Sequence, residues 1–300
     1  MFEHDHHSHD SHGGQALRRA LLLTLGFAAV EFVVGWWGGS LALMADAGHM
    51  LTDSTALGLA AIAAWIARRP ADARHSWGHG RAEVIAAMIN GAAMLVLVTV
   101  IVLQAVQRFQ NPVEVRGGAV LVVAAIGLLV NLLVLRALHG GRENLNVRGA
   151  MLHVLGDLLG SVAALASGAV ILLTGWTPID PLLSLLICAL ILVAALRLIR
   201  TATGIVMEQV PHGLELEQVR RAISEIDGVV EVHDLHIWRV AGQRIALSAH
   251  VVTASLERWP DQLTRINAML LERFGIDHPT LQAEPPEHPG CRQPGAGCHH

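Results

Sequence analysis

Six long apolar runs dominate the first two thirds of the chain, at 16–38, 40–67, 82–108, 115–138, 146–174 and 179–203. Each is near or above the ~20 residues that a helix needs to cross a bilayer. The breaks between them hold helix-stopping residues: Gly38-Gly39, Arg68-Arg69-Pro70, Asn111-Pro112, Gly140-Gly141 and Thr177-Pro178. The pattern therefore predicts six membrane spans over 16–203. Past Thr203 the periods shorten. Residues 215–226 repeat with helical period. Residues 229–240 and 244–253 are β-rich runs joined by Ala241-Gly242, a hairpin signal. Residues 260–274 read as a second amphipathic helix and 280–283 as a short strand. The order αββαβ over 204–285 suits a small α+β sandwich with its helices on one face of the sheet. The expected fold class is a membrane all-α six-helix domain plus a cytoplasmic α+β domain. Two tails flank them. Residues 1–15 are His-rich and have nothing with which to build a core, so disorder is expected. Residues 286–300 are expected to be a flexible tail carrying Cys and His.

Composition agrees with the pattern. The chain is 53% hydrophobic and only 15% charged, with a mean hydropathy of +0.48. An integral membrane protein follows. Arginine sets the orientation. Arg18 and Arg19, then Arg68, Arg69, Arg74 and Arg81, then Arg136, Arg142 and Arg148, then Arg197 and Arg200 all fall at one face, and only Arg108 and Arg116 at the other. The positive-inside rule puts both termini of a multi-pass protein in the cytoplasm.

Against this background two polar pairs are conspicuous. His49-x-x-x-Asp53 lies in the second run and His153-x-x-x-Asp157 in the fifth. Residues four apart share one helix face. Ionisable groups inside a membrane are costly and mark substrate or ion pathways. A lone His would be read as an interhelical hydrogen bond. Two matching pairs on antiparallel spans point instead to a metal site, since together they offer the four N/O ligands of tetrahedral Zn²⁺. The ligand set suits Zn²⁺ or Co²⁺ better than Mg²⁺ or Ca²⁺. Two carboxylates balance the charge of a divalent cation. Metal ligands must be deprotonated, so protons compete with metal. Swapping one for the other is the chemistry of a metal/proton antiporter, with protons as counter-ion. Asp46, one turn before His49, is a candidate exit acid. Glu31, Asn90, Asn131 and Ser161 are expected to make interhelical hydrogen bonds.

The stretches Ser40-Leu-Ala-Leu-Met-Ala-Asp46-Ala-Gly-His49-Met-Leu-Thr-Asp53-Ser and Asn144-Leu-Asn-Val-Arg-Gly-Ala-Met-Leu-His153-Val-Leu-Gly-Asp157 resemble the cation diffusion facilitator family. The resemblance runs from 16 to about 285. It implies a ferredoxin-like cytoplasmic domain, a homodimer, and zinc efflux in exchange for protons by alternating access. His and Asp on both helices resemble the zinc-selective branch, whereas members with two Asp on the second helix also take cadmium; Cd²⁺ and Co²⁺ stay open as further metals for this chain. It also supports a loop site from Asp72, His75 and His79, three ligands within eight residues that can close around one cation. Relatives place metal between cytoplasmic domains, and here His233, His250 and Glu284 are the expected ligands, with His278 or His236 as a fourth. Gln282 stands where a His stands in some relatives, which argues against a two-metal cluster. The resemblance further suggests a charge interlock between protomers from Arg81 and Glu208. Cys291 and Cys298 could clamp a metal in the last tail.

Two other classes compete. A membrane metal sensor would use the cytoplasmic domain as its output, yet no nucleotide- or DNA-binding signal is present and no nucleic-acid partner is expected. An intramembrane metallohydrolase needs an open metal position and a base, and four protein ligands leave neither. The expected activity is transport, not enzymatic turnover.

Overall fold

A computed structural model describes residues 9–138, 145–242 and 244–286, with side chains for 24–136, 154–242 and 244–286. The Cys291 and Cys298 site and most of the His-rich tail lie outside the described residues. Helices α1 (His9–Gly38), α2 (Leu41–Ala67), α3 (Ala82–Gln110), α4 (Gly117–Leu138), α5 (Leu145–Thr174) and α6 (Ile179–Val206) follow the six apolar runs. Then come α7 (Leu216–Ser224), β1 (Val229–Ala241), β2 (Arg244–Thr253), α8 (Trp259–Phe274) and β3 (His278–Glu284). Helix α1 starts at His9, ahead of its apolar run. The chain divides into two compact units. One takes residues up to 59 together with 89–198, and the other takes 60–88 together with the chain from 199 on.

The first unit is a helical bundle. Helices α2 to α6 each contain a stretch long and apolar enough to cross a membrane, and α1 has an apolar stretch at Thr24–Gly38. Large apolar side chains such as Val33, Trp36, Val96 and Leu173 point outward, as a lipid-facing surface requires. Among the described residues, the two largest buried clusters of the bundle share two helices. One joins Leu41 and Ala45 of α2 to Met94, Val98 and Ile101 of α3, Ala163 of α5 and Ile187 and Ile191 of α6. The other joins Phe27 and Ala28 of α1, Leu43 and Met50 of α2, Val123 and Ala124 of α4 and Ala164 of α5. Helices α2 and α5 belong to both, so the two helices bearing the His/Asp pairs are central.

Small residues let these helices approach, the rule for packing in lipid. The backbones of α4 and α5 touch. A Cβ at Gly168 would lie 2.7 Å from the Leu121 amide nitrogen, and one at Gly117 would lie 3.0 Å from the Gly168 carbonyl oxygen.

In the second unit the sheet order is β1-β2-β3, with β1 and β2 antiparallel and β2 and β3 parallel. Val219 and Ile223 of α7 and Ile266 and Leu270 of α8 sit one turn apart on their helices. They pack on Val232, Ile237, Leu247 and Val251 of the sheet. Helix α8 ends at Gly275, whose φ of 67° accepts the left-handed cap. Strand β3 is longer than the 280–283 expected, because it pairs with β2 from His278 to Glu284. The α2–α3 connection belongs to this unit. Trp77 meets His278 edge-on, with ring centroids 4.9 Å apart. Gly80 is packed so closely on Ala241 that any side chain there would overlap it.

Candidate metal centres

The first centre lies between α2 and α5. Ligand atoms of His49, Asp53 and Asp157 all lie within 4.8 Å of one another. His49 Nδ1 is 3.5 Å from Asp53 Oδ2, as i,i+4 spacing on one helix face allows. Asp157 is 3% exposed, while the His49 and Asp53 side chains are 17% and 14% exposed. Every position from Ser40 to Ala47 except Met44 is buried, so the N-terminal end of α2 is sealed. The fourth expected ligand, His153, is on α5 one turn before Asp157. Its side chain lies outside the described residues.

Asp46 is buried against α5, where Gly160 leaves the space for its carboxylate. Glu31 of α1 is fully buried beside Gly127 and within electrostatic reach of Asp46 and Asp157. Neither Glu31 oxygen has a hydrogen-bond partner among the described residues, contrary to the interhelical bond expected of it. Asn131 Nδ2 does donate across helices, to Ser161 Oγ at 3.1 Å.

The second centre is the α2–α3 loop, where ligand atoms of Asp72, His75 and His79 also lie within 4.8 Å of one another. Asp72 Oδ1 accepts the Arg74 and His75 backbone N–H groups at 2.7 Å each. This is the side-chain turn that Asp forms readily. The Arg74 amide first, then the His75 amide, holds the Asp72 carboxyl below the usual carboxylate range, ready as an ionised ligand. The His75 and His79 rings lie 4.3 Å apart.

The third centre is on the sheet. His233 of β1 pairs with His250 of β2. Glu284, buried at the end of β3, reaches both: Oε2 is 3.3 Å from His233 Nε2 and Oε1 is 2.8 Å from His250 Nδ1. Gln282 Nε2 donates to Glu284 Oε1 at 3.1 Å, so Gln282 supports the carboxylate from beside it. A bulge between His233 and His236, with Asp234 at φ 51°, turns Asp234 toward the cluster. Its Oδ2 lies 3.9 Å from His250 Nε2, and its Oδ1 lies 3.0 Å from His236 Nε2. Asp234 thus approaches the His250 ring on the nitrogen opposite to Glu284, and His236 is tied to it. His278 does not join. It begins β3, six residues and about 20 Å from Glu284 at strand spacing, against Trp77.

Arg81 Nη2 and Glu208 Oε1 pair at 3.1 Å within one chain, both well exposed. One polar cluster escaped the sequence reading. Asp180, in the first turn of α6, is fully buried and binds groups from α2, α3 and α5. The available signals were a Ser opening the second apolar run and an Asp two residues after Pro178, both common at helix starts.

An apolar helical bundle with His and Asp ligands converging between its two central helices, joined to a small α+β domain, defines a multi-pass membrane transporter of metal cations. The chain belongs to the cation efflux family. Residues 17–207 match the cation efflux transmembrane domain and residues 211–286 match the cation efflux protein cytoplasmic domain. It is 42% identical over 296 residues to zinc transporter ZitB of Shigella flexneri, covering 95% of this chain and 94% of that protein. It is 38% identical to the metal cation efflux system protein CzcD of Cupriavidus metallidurans (93% and 89% covered). It is 36% identical to the cadmium, cobalt and zinc/H⁺-K⁺ antiporter of Bacillus subtilis (94% and 93% covered). These relatives are transporters, and the chain is a transporter rather than an enzyme.

Proposed function

We propose that the protein exports Zn²⁺ from the cytoplasm across the inner membrane in exchange for protons. His49, Asp53, His153 and Asp157 form the transport site. The observation that carries this reading is the convergence of His49, Asp53 and Asp157 in an apolar interior. Two carboxylates and two neutral imidazoles make the zinc-loaded site formally neutral. Without metal the two carboxylates are left uncompensated in a poorly solvated place, and protons compete with metal for them. Zinc and protons then bind alternately, and alternating access couples their movements. The sealed N-terminal end of α2 and the partial exposure of His49 and Asp53 support entry from the cytoplasmic side in this conformation. Asp46, one turn further along, serves as the exit acid. The relatives' names support zinc first, with cadmium and cobalt as further metals.

The domains act as residues 16–203 for transport and 204–285 for dimerisation and regulation, with both termini cytoplasmic. The protein works as a homodimer. The His233, His250 and Glu284 cluster binds zinc and tightens the pairing of cytoplasmic domains, with Arg81 and Glu208 as a charge interlock at the membrane edge. The Asp72, His75 and His79 loop loads or regulates. A loop site cannot carry metal across, so Asp72→Ala is expected to lose about one bound zinc per protomer while flux stays within about twofold of the unmodified chain. Equilibrium dialysis and flux on the same preparation check both halves.

The main test is metal-driven proton flux in proteoliposomes, comparing Zn²⁺, Cd²⁺ and Co²⁺. Zinc uptake should speed up with an imposed pH gradient and fall back to the zinc-driven rate when the pH gradient is collapsed. Zinc uptake indifferent to the gradient would remove the antiport, and zinc binding without flux would favour a sensor.

A further inference from the structure

The Asp180 carboxylate is a meeting point of four helices. Ser40 Oγ donates to Oδ1 at 2.6 Å, the Leu41 N–H to Oδ2 at 2.6 Å and the Ala42 N–H to Oδ1 at 3.4 Å. From α5, Ser167 Oγ donates to Oδ1 at 3.2 Å. From the last turn of α3, Arg108 Nη1 donates to Oδ2 at 3.3 Å and also to the Gly39 carbonyl. Ser40 Oγ in turn accepts the Leu43 N–H at 3.2 Å and so caps α2. The carboxylate thus sits on the positive end of the α2 dipole. The Arg108 guanidinium supplies its countercharge.

The helices joined here are the ones that carry the His/Asp pairs. At 1.5 Å per residue, Leu41 is about 12 Å from His49 along α2, and Ser167 is about 15 Å from Asp157 along α5. Both ligand helices are therefore tied to one carboxylate at similar distances from their ligands. The hydrophobic contacts of α2 and α5 are non-directional, so directional ties add to what packing does for their axial register. Hydrogen bonds of 2.6–3.2 Å to a single fully buried group define it tightly.

We propose that Asp180 is a positioning residue for metal transport: it pins α2 and α5 at one shared point and so sets how His49 and Asp53 meet Asp157. This rests on the reading of those residues as the transport site. Relative movement of the two helices becomes a swing about Asp180, and the ligands at the far end of each arm open or close on the ion. A supporting group that loosens by a fraction of an ångström degrades such a site without touching it.

The test uses the purified full chain, with Co²⁺ as an optical probe of ligand geometry and zinc uptake into proteoliposomes as the functional readout. The signal of the transport site is the part of the Co²⁺ visible spectrum that Asp157→Ala removes. Asp180→Asn keeps the side-chain volume and removes the charge. It should raise half-saturating zinc about fivefold and weaken the Asp157-dependent Co²⁺ band, as expected when ligands are misplaced. A lower melting temperature with that band and half-saturation unchanged would reduce Asp180 to a structural role and overturn the proposal. If Asp180→Asn does not fold, Ser167→Ala decides, because it cuts only the α5 tie. A band shift with about a twofold rise in half-saturation supports the pin, and identity with the unmodified chain overturns it. An unmodified chain with no Asp157-dependent band would overturn the reading of the transport site, a failure distinct from that of the pin.

Discussion

Replacing Asp157 with Ala is expected to reduce zinc flux below about 1% of that of the unmodified chain. Asp157 is 3% exposed, and its ligand atom stands within 4.8 Å of those of His49 and Asp53. In the proposed transport site its loss removes one ligand of four and one of two negative charges. The loaded site then carries an uncompensated positive charge in an apolar bundle. Removing one partner of a buried charge pair costs about 3–5 kcal/mol, and each 1.4 kcal/mol is about a factor of ten in affinity. The arithmetic gives more than about a hundredfold loss. Asp157→Asn separates charge from shape, since it keeps an oxygen donor and the volume. Its flux should fall nearly as far, because proton exchange needs a carboxylate. The measurement is the initial rate of radioactive zinc uptake into proteoliposomes, beside the Asp72→Ala loop variant as a folded control. Flux retained within twofold in Asp157→Ala would move the transport site elsewhere.

What could be read from the sequence divides along physical lines. The spans and strands were legible because period and length are local properties. The β1 and β2 runs, expected at 229–240 and 244–253, form at Val229–Ala241 and Arg244–Thr253. His49, Asp53 and Asp157 stood out because charge in an apolar run is expensive wherever the helix ends up. Other features depended on tertiary placement. Arg108 and Asp180 are 72 residues apart, and each alone resembles an ordinary interfacial charge near a span end. Only the packing of α3 beside α6 brings the half-buried Arg108 onto the buried Asp180. Glu31 was expected to bond to a neighbouring helix, but on α4 it faces Gly127, which has no side chain to donate. Asp234 approaches His250 only because a bulge puts its φ at 51°, which no alternating strand pattern reveals. His278 was grouped with the sheet ligands by residue type, whereas register places it at the far end of β3.

Gly160 and Gly156 show how placement alone separates two residues of the same type on one helix. Gly160→Ala should lower zinc flux at least about tenfold, as expected when ligands are displaced by the order of an ångström. Gly156→Ala should leave it unchanged. Both residues lie on α5, beside Asp157. Among the described residues, a Cβ at Gly156 meets nothing within 4 Å. A Cβ at Gly160 would overlap Asp46 Oδ1 and lie 2.8 Å from Asp46 Cγ. Asp46 is itself 1% exposed, so its short side chain has nowhere to go unless α2 shifts. Asp46 is one turn from His49, so the shift displaces α2 from α5 at the level where their ligands meet. Overpacking of this kind costs about 1–3 kcal/mol. In the interior of a helix Ala is otherwise favoured over Gly by about 0.5–1 kcal/mol. Gly156→Ala should therefore melt at or slightly above the unmodified temperature, and Gly160→Ala below it. Thermal melts and zinc uptake on the two variants read both predictions. Equal behaviour of the pair would mean that α2 and α5 do not approach through Gly160. The double variant Gly160→Ala/Asp46→Ala, which removes the overlapping carboxylate, should recover the lost stability. Its flux then reports what Asp46 contributes once the clash is gone, and an exit acid predicts that flux stays low.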